Sequence, residues 1–96
     1  FSNKKMNIQE LINDKSVTII DVRTEEEFLE GNVNNSVNIP LHEIVDRIEE
    51  LKEMQPMVLC CRSGQRSGKA MEYLKSLGMD QVHNGGGWLE VVSLQS

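Results

Sequence analysis

Apolar positions along this chain alternate between helical and strand spacing. Ile8, Leu11 and Ile12 share one helical face, behind an Asn7–Glu10 pair spaced as a capping box. Val17 to Ile20 is a short β-branched run that reads as a buried strand. Thr24 and Glu27 form a second capping box, opening a short helix that Gly31 ends. Val37 to Ile39 predicts another strand, and Pro40 suits the first turn of the helix after it. That helix carries Leu41, Ile44, Val45, Ile48 and Leu51 at helical spacing. Met57 to Cys60 predicts a third strand. Ser67 to Leu77 predicts a helix stopped by Gly78. Gln81 to His83 predicts a brief fourth strand, and Gly86 to Leu94 a last helix.

Strands and helices that alternate through short connections predict an α/β fold, a small parallel β-sheet flanked by helices on both faces. Ligands of such sheets bind beyond the carboxyl ends of the strands. The length of 96 residues predicts a single domain over residues 1–96, with no repeat or low-complexity stretch.

Charge narrows the partners. The net charge of −5 disfavours nucleic acid and anionic membrane surfaces. No apolar run reaches the length of a membrane span. Two adjacent cysteines make no disulfide framework, and a Cys60–Cys61 bridge would close a small, strained ring. A reducing, cytoplasmic setting is therefore expected. The chain opens at Phe1 rather than Met, so an upstream leader, and with it a periplasmic location, stays open.

The chemistry concentrates in Cys60 to Ala70, CCRSGQRSGKA. Cys61 falls at the end of a predicted buried strand, just before a helix whose first N–H groups lack intrahelical partners. A free thiol has a pKa of about 8.5, so only a few per cent is thiolate at neutral pH. A helix N-terminus favours a nearby anion by roughly 0.3–1 kcal/mol. A close cation moves a pKa by about 1–3, which makes Arg62 and Arg66 the larger influence if either points inward. Gly64 permits positive φ and lets several N–H groups converge on one anion. The loop suits a cysteine that carries, or attacks, a negatively charged group. Two small core residues closing a strand are the bland alternative, and they leave the arginines unexplained.

Cys61-Arg62-Ser63-Gly64-Gln65-Arg66-Ser67 resembles the active-site loop of rhodanese-like sulfurtransferases. Asp21-Val22-Arg23-Thr24, then Glu26, Glu27, Phe28 and Gly31, then Ser36 to Leu41, are similar to that family's amino-terminal signature. Asn84-Gly85-Gly86-Gly87-Trp88 resembles its glycine-rich carboxyl-terminal signature. The resemblance implies that Cys61 takes a sulfane sulfur from a small anionic donor such as thiosulfate. The resulting persulfide passes the sulfur to cyanide, a thiol or a protein acceptor. It implies that Arg62, Ser63, Gly64, Gln65, Arg66 and Ser67 hold the persulfide and the donor, with Asp21 and Arg23 in supporting positions. It implies no cofactor and no metal. Asn32 stands where the family usually has histidine, a change expected to weaken local packing or capping.

Rival chemistries fit less well. A tyrosine-phosphatase loop places five residues between cysteine and arginine, whereas four separate Cys61 from Arg66. The shorter cradle favours a single sulfur atom over a phosphate. A sulfur-relay carrier would use the same persulfide with a protein partner. A non-catalytic binding module is disfavoured by the presence of Cys61. Gly64 to Ala70 misses the P-loop spacing, and Ala70 lacks the required hydroxyl. His42 and His83 lack metal-ligand spacing. Glu25, Glu26 and Glu27 read as a solvated first helical turn, and the scattered methionines as core filler. Trp88 is expected to anchor the last helix or to wall the pocket.

Overall fold

The computed structural model describes residues 6–96. Four parallel strands form one sheet: β1 (Thr18–Asp21), β2 (Val37–Asn38), β3 (Met57–Cys61) and β4 (Val82–Gly87), in the order β2-β1-β3-β4. The helices are α1 (Ile8–Ile12), α2 (Glu25–Glu30), α3 (Ile48–Glu53), α4 (Gln65–Ser76) and α5 (Trp88–Leu94). Side chains alternate across a strand, so each inner strand feeds two cores. On one face Ile20, Leu59 and Cys61 pack with Ile44, Leu51, Ala70 and Leu74. On the other, Ile19, Val58 and Cys60 pack with Leu11, Ile12 and Val91. The expected sheet, covered on both faces, is present. Among the described residues no helix is long and apolar enough to cross a membrane.

Both predicted capping boxes form. The Asn7 side chain accepts from the Glu10 N–H at 2.8 Å, and that of Thr24 accepts from the Glu27 N–H at 3.2 Å. Four elements differ from expectation. Leu41 to Leu51 is not one α-helix: Leu41–Arg47 is a 3-10 helix, and α3 follows it. Three residues per turn bring Leu41 and Ile44 onto one line and turn Val45 outward, where it is 59% exposed. The helix α4 begins at Gln65 rather than Ser67, because Gly64 at φ 96° makes the turn and its carbonyl accepts from the Gly68 N–H at 2.9 Å. The strand β4 continues through Gly87, past the expected end at His83. Its register with β3 shifts between Leu59 and Cys60, where Asn84 and Gly86 are the partners and Gly85 is the extra residue of a bulge. The last helix therefore starts at Trp88 instead of Gly86.

Candidate active site

Cys61 ends β3, an inner strand, and its residue is 1% exposed. The chain then turns through Arg62, Ser63 and Gly64 into α4. This turn curls the backbone around the sulfur. The Gly64 N–H donates to Cys61 Sγ at 3.0 Å, and Ser67 Oγ lies 3.4 Å from it. Burial, the largest single influence, pushes the Cys61 thiol up. The Ser67 hydroxyl and the N–H groups of Ser67, Gly64 and Ser63 together outweigh it, and the pKa falls below its ordinary value.

This corrects the expectation that arginine is the larger influence. Arg66 turns to Glu27 of α2 and donates to both carboxylate oxygens, at 2.7 and 3.1 Å. The pairing and the Thr24 N–H hold Glu27 down at about 2, and Glu27 in turn raises Arg66. Glu27 is thus not merely part of a solvated first turn. Arg62 is exposed, and among the described residues it forms no ion pair. The side chains of Ser63 and Gln65 face solvent, so the loop contributes backbone at those positions. Ser67, 0% exposed, turns inward.

Asn84 was not anticipated. Its side chain locks three parts of the site together. Oδ1 lies 2.7 Å from Ser67 Oγ and accepts from the Gly86 N–H at 2.9 Å, while Nδ2 donates to the Gly64 carbonyl at 3.1 Å. Asn84 pairs with Leu59, and strand alternation places it on the face that carries Leu59 and Cys61; the bulge follows at Gly85.

Asp21 and Arg23 sit at the end of β1, buried together at 0% and 4% exposure. Arg23 Nε and Nη2 donate to the Asp21 carboxylate at 2.7–3.0 Å, Nη2 also reaches the Gly31 carbonyl at 2.7 Å, and the guanidinium lies 4.6 Å from the Trp88 ring centroid. The pair braces the connection between β1 and α2. Trp88 both packs on the core and walls a cleft beside the loop, of about 370 Å³, with Arg23, Glu27, Glu30, Arg62 and Leu89. Asn32 closes the end of α2: its Nδ2 donates to the Phe28 carbonyl at 2.9 Å. His83, on β4, pairs with Val58 of β3; burial and then Lys75 lower its pKa, and nothing among the described residues joins it to Cys61. Among the described residues no three His, Cys, Asp or Glu side chains converge to hold a metal ion.

A parallel α/β sheet with a hydrogen-bonded cysteine loop at the tip of an inner strand defines the structural class. The rhodanese-like domain family model matches residues 7–93, and the chain belongs to that family. It is 37% identical over 103 residues to "Thiosulfate sulfurtransferase/rhodanese-like domain-containing protein 3" of Mus musculus, covering 92% of this chain and 66% of that protein. It is 34% identical over 76 residues to a "Sulfurtransferase" of Allochromatium vinosum, covering 79% of this chain and 71% of that one. The chain thus spans about two thirds of the mouse relative's length. A rhodanese-related protein of Thermoplasma volcanium superposes with a TM-score of 0.76 at 30% identity, covering 94% of this chain and 90% of that one. The relatives place the chain in a sulfurtransferase family.

Proposed function

We propose that the chain transfers a sulfane sulfur from a donor such as thiosulfate to cyanide or a thiol through a Cys61 persulfide. One observation carries the reading: a buried sulfur with the Gly64 N–H at 3.0 Å and the Ser67 hydroxyl at 3.4 Å. These donors favour an anion at that spot, first the thiolate and then the terminal sulfur of the persulfide. In the first step the Cys61 thiolate attacks the outer sulfur of thiosulfate. A new S–S bond forms, the sulfur–sulfur bond of the donor breaks, and sulfite leaves with the electron pair. In the second step the acceptor attacks the outer persulfide sulfur. Cyanide then leaves as thiocyanate and the Cys61 thiolate is regenerated. No net oxidant is consumed, and ping-pong kinetics follow. Gly64, Ser67 and the loop N–H groups hold the sulfur, Arg62 supplies positive charge at the entrance while Arg66 is held by Glu27, and Asp21 and Arg23 keep β1 in place.

The test is the intact mass after thiosulfate treatment, then after cyanide. Wild-type protein gains one sulfur atom, mapped to Cys61, and loses it to cyanide as thiocyanate. Cys61→Ser gains none, whereas Cys60→Ser still loads. Equal loss of loading in the two variants would overturn the assignment. A folded, reduced wild-type protein that loads no sulfur from thiosulfate or from an organic persulfide would point to a binding module instead.

A further inference from the structure

The three arginines around Cys61 are not three free cations. Arg23 is closed on Asp21, with both side chains buried. Arg66 is closed on Glu27 through two hydrogen bonds. Only Arg62 stands exposed without an ion pair among the described residues, and Glu30 lines the cleft beside it. The charged side chains lining that cleft are two cations, Arg23 and Arg62, and two carboxylates, Glu27 and Glu30. Arg23 is matched by Asp21 and Glu27 by Arg66, so among the described residues a dianion approaching the loop meets one free cation, Arg62, facing one free carboxylate, Glu30. The remaining wall is apolar, formed by Trp88 and by Leu89, which is 64% exposed.

Resting on the sulfurtransferase reading, we propose that Glu27 is a specificity-determining residue. By holding Arg66 it turns the site away from dianionic donors such as thiosulfate. It favours organic persulfides of at most one negative charge, whose organic group lies along Trp88 and Leu89. The step balances: the Cys61 thiolate attacks the outer sulfur of R–S–SH. The new S–S bond forms as the donor's S–S bond breaks, RS⁻ leaves with the electron pair, and the proton stays on the transferred sulfur. Glu27 lies in the third position of α2, where its carboxylate also bonds the Thr24 N–H at 3.1 Å. Glutamine can make that capping contact as well, so Glu27→Gln removes the charge and keeps the cap.

The experiment measures kcat/KM with thiosulfate and with 2-hydroxyethyl persulfide, cyanide being the acceptor for both. Wild type favours the persulfide. Glu27→Gln raises kcat/KM for thiosulfate roughly tenfold, the lower end of what one close charge does, and changes the persulfide value by less than about threefold. The gain shrinks at about 0.5 M salt and is absent in the Glu27→Gln, Arg66→Ala double variant. An unchanged donor ratio in Glu27→Gln, or an equal rise for both donors, would sink the inference and leave the sulfurtransferase reading intact. No transfer by wild type from either donor would overturn both. The unaltered chain supplies a second readout should the variant fail to fold. With Arg66 occupied, the thiosulfate kcat/KM falls only weakly with salt, and a steep fall requiring two or more free cations counts against the proposal.

Discussion

Cys60 and Cys61 are neighbours in sequence, yet alternation along β3 sends their side chains to opposite faces of the sheet. Cys60 meets only the α1/α5 core, where burial, and then the Asp21 carboxylate, push its thiol up to about 12. Cys61 reaches the loop, where N–H groups and a hydroxyl hold it below its ordinary value. The Ser67 hydroxyl has one proton and two acceptors in reach, Asn84 Oδ1 at 2.7 Å and Cys61 Sγ at 3.4 Å. A thiolate at Cys61 therefore competes with Asn84 for the hydrogen bond that the Ser67 hydroxyl donates. Asn84→Asp supplies a charged, competing acceptor and a negative charge near the sulfur. It should raise the Cys61 pKa, read from the pH dependence of iodoacetamide alkylation, and an unchanged profile would show that Asn84 does not act through Ser67. The sequence disclosed Cys61 and its loop because thiol, glycine and hydroxyl lie within seven residues. Glu27 and Asn84 were hidden as site residues because each reaches the loop from a distant stretch, 39 and 20 positions away from its partner.

Elements were legible where a period or a cap marks them. The runs at Val17 to Ile20 and Met57 to Cys60, and the capping boxes at Asn7 and Thr24, all lie within a residue or so of the observed strands and helix starts. The 3-10 segment escaped because Leu41, Ile44, Ile48 and Leu51 satisfy either helical period locally. The extension of β4 escaped because a Gly-Gly-Gly run reads as loop, with no side chains to show alternation. Packing explains the run. A Cβ built on Gly85 would lie 2.8 Å from Val58, 2.9 Å from Val91 and 3.2 Å from the Leu59 carbonyl. The strand must be bare there for α5 to close on the sheet. Gly85→Ala should therefore destabilise the fold by about 1–3 kcal/mol, measured by urea unfolding. Because Asn84 and Gly86 flank the bulge, sulfur loading at Cys61 should drop in the same variant at temperatures where it stays folded. A variant as stable as wild type would mean that β4 and α5 can separate without cost.

The whole molecule combines groups whose proton affinities differ between the folded and unfolded chain, and their signs shape stability against pH. Glu27 is held at about 2 against an ordinary value of 4.5, so its contribution is complete above 4.5 and is lost as pH falls from there toward 2. Asp14 and Glu50, both lowered, act in the same direction. His83 is lowered from 6.5, so the unfolded chain takes up its proton first and the acid decline begins there. At the alkaline end the two cysteines oppose each other. Cys61, depressed, binds its proton less tightly when folded, which makes stability rise with pH until the unfolded thiol also ionises at about 9. Cys60, raised from 9.0 to about 12, contributes fully below 9, and that contribution is lost as pH climbs from 9 toward 12. The urea midpoint should therefore peak between the His83 and Cys60 ranges, at neutral to mildly alkaline pH. Glu27→Gln should flatten the decline between 4.5 and 2, and Cys60→Ala the decline above 9, each compared with wild type in the same buffers. If Cys60→Ala kept the full alkaline decline, that thiol would have to be ionising in the folded protein near its ordinary value. It would then not be sealed in the core, and the separation of the two cysteines that the proposed Cys61 chemistry requires would fail with it.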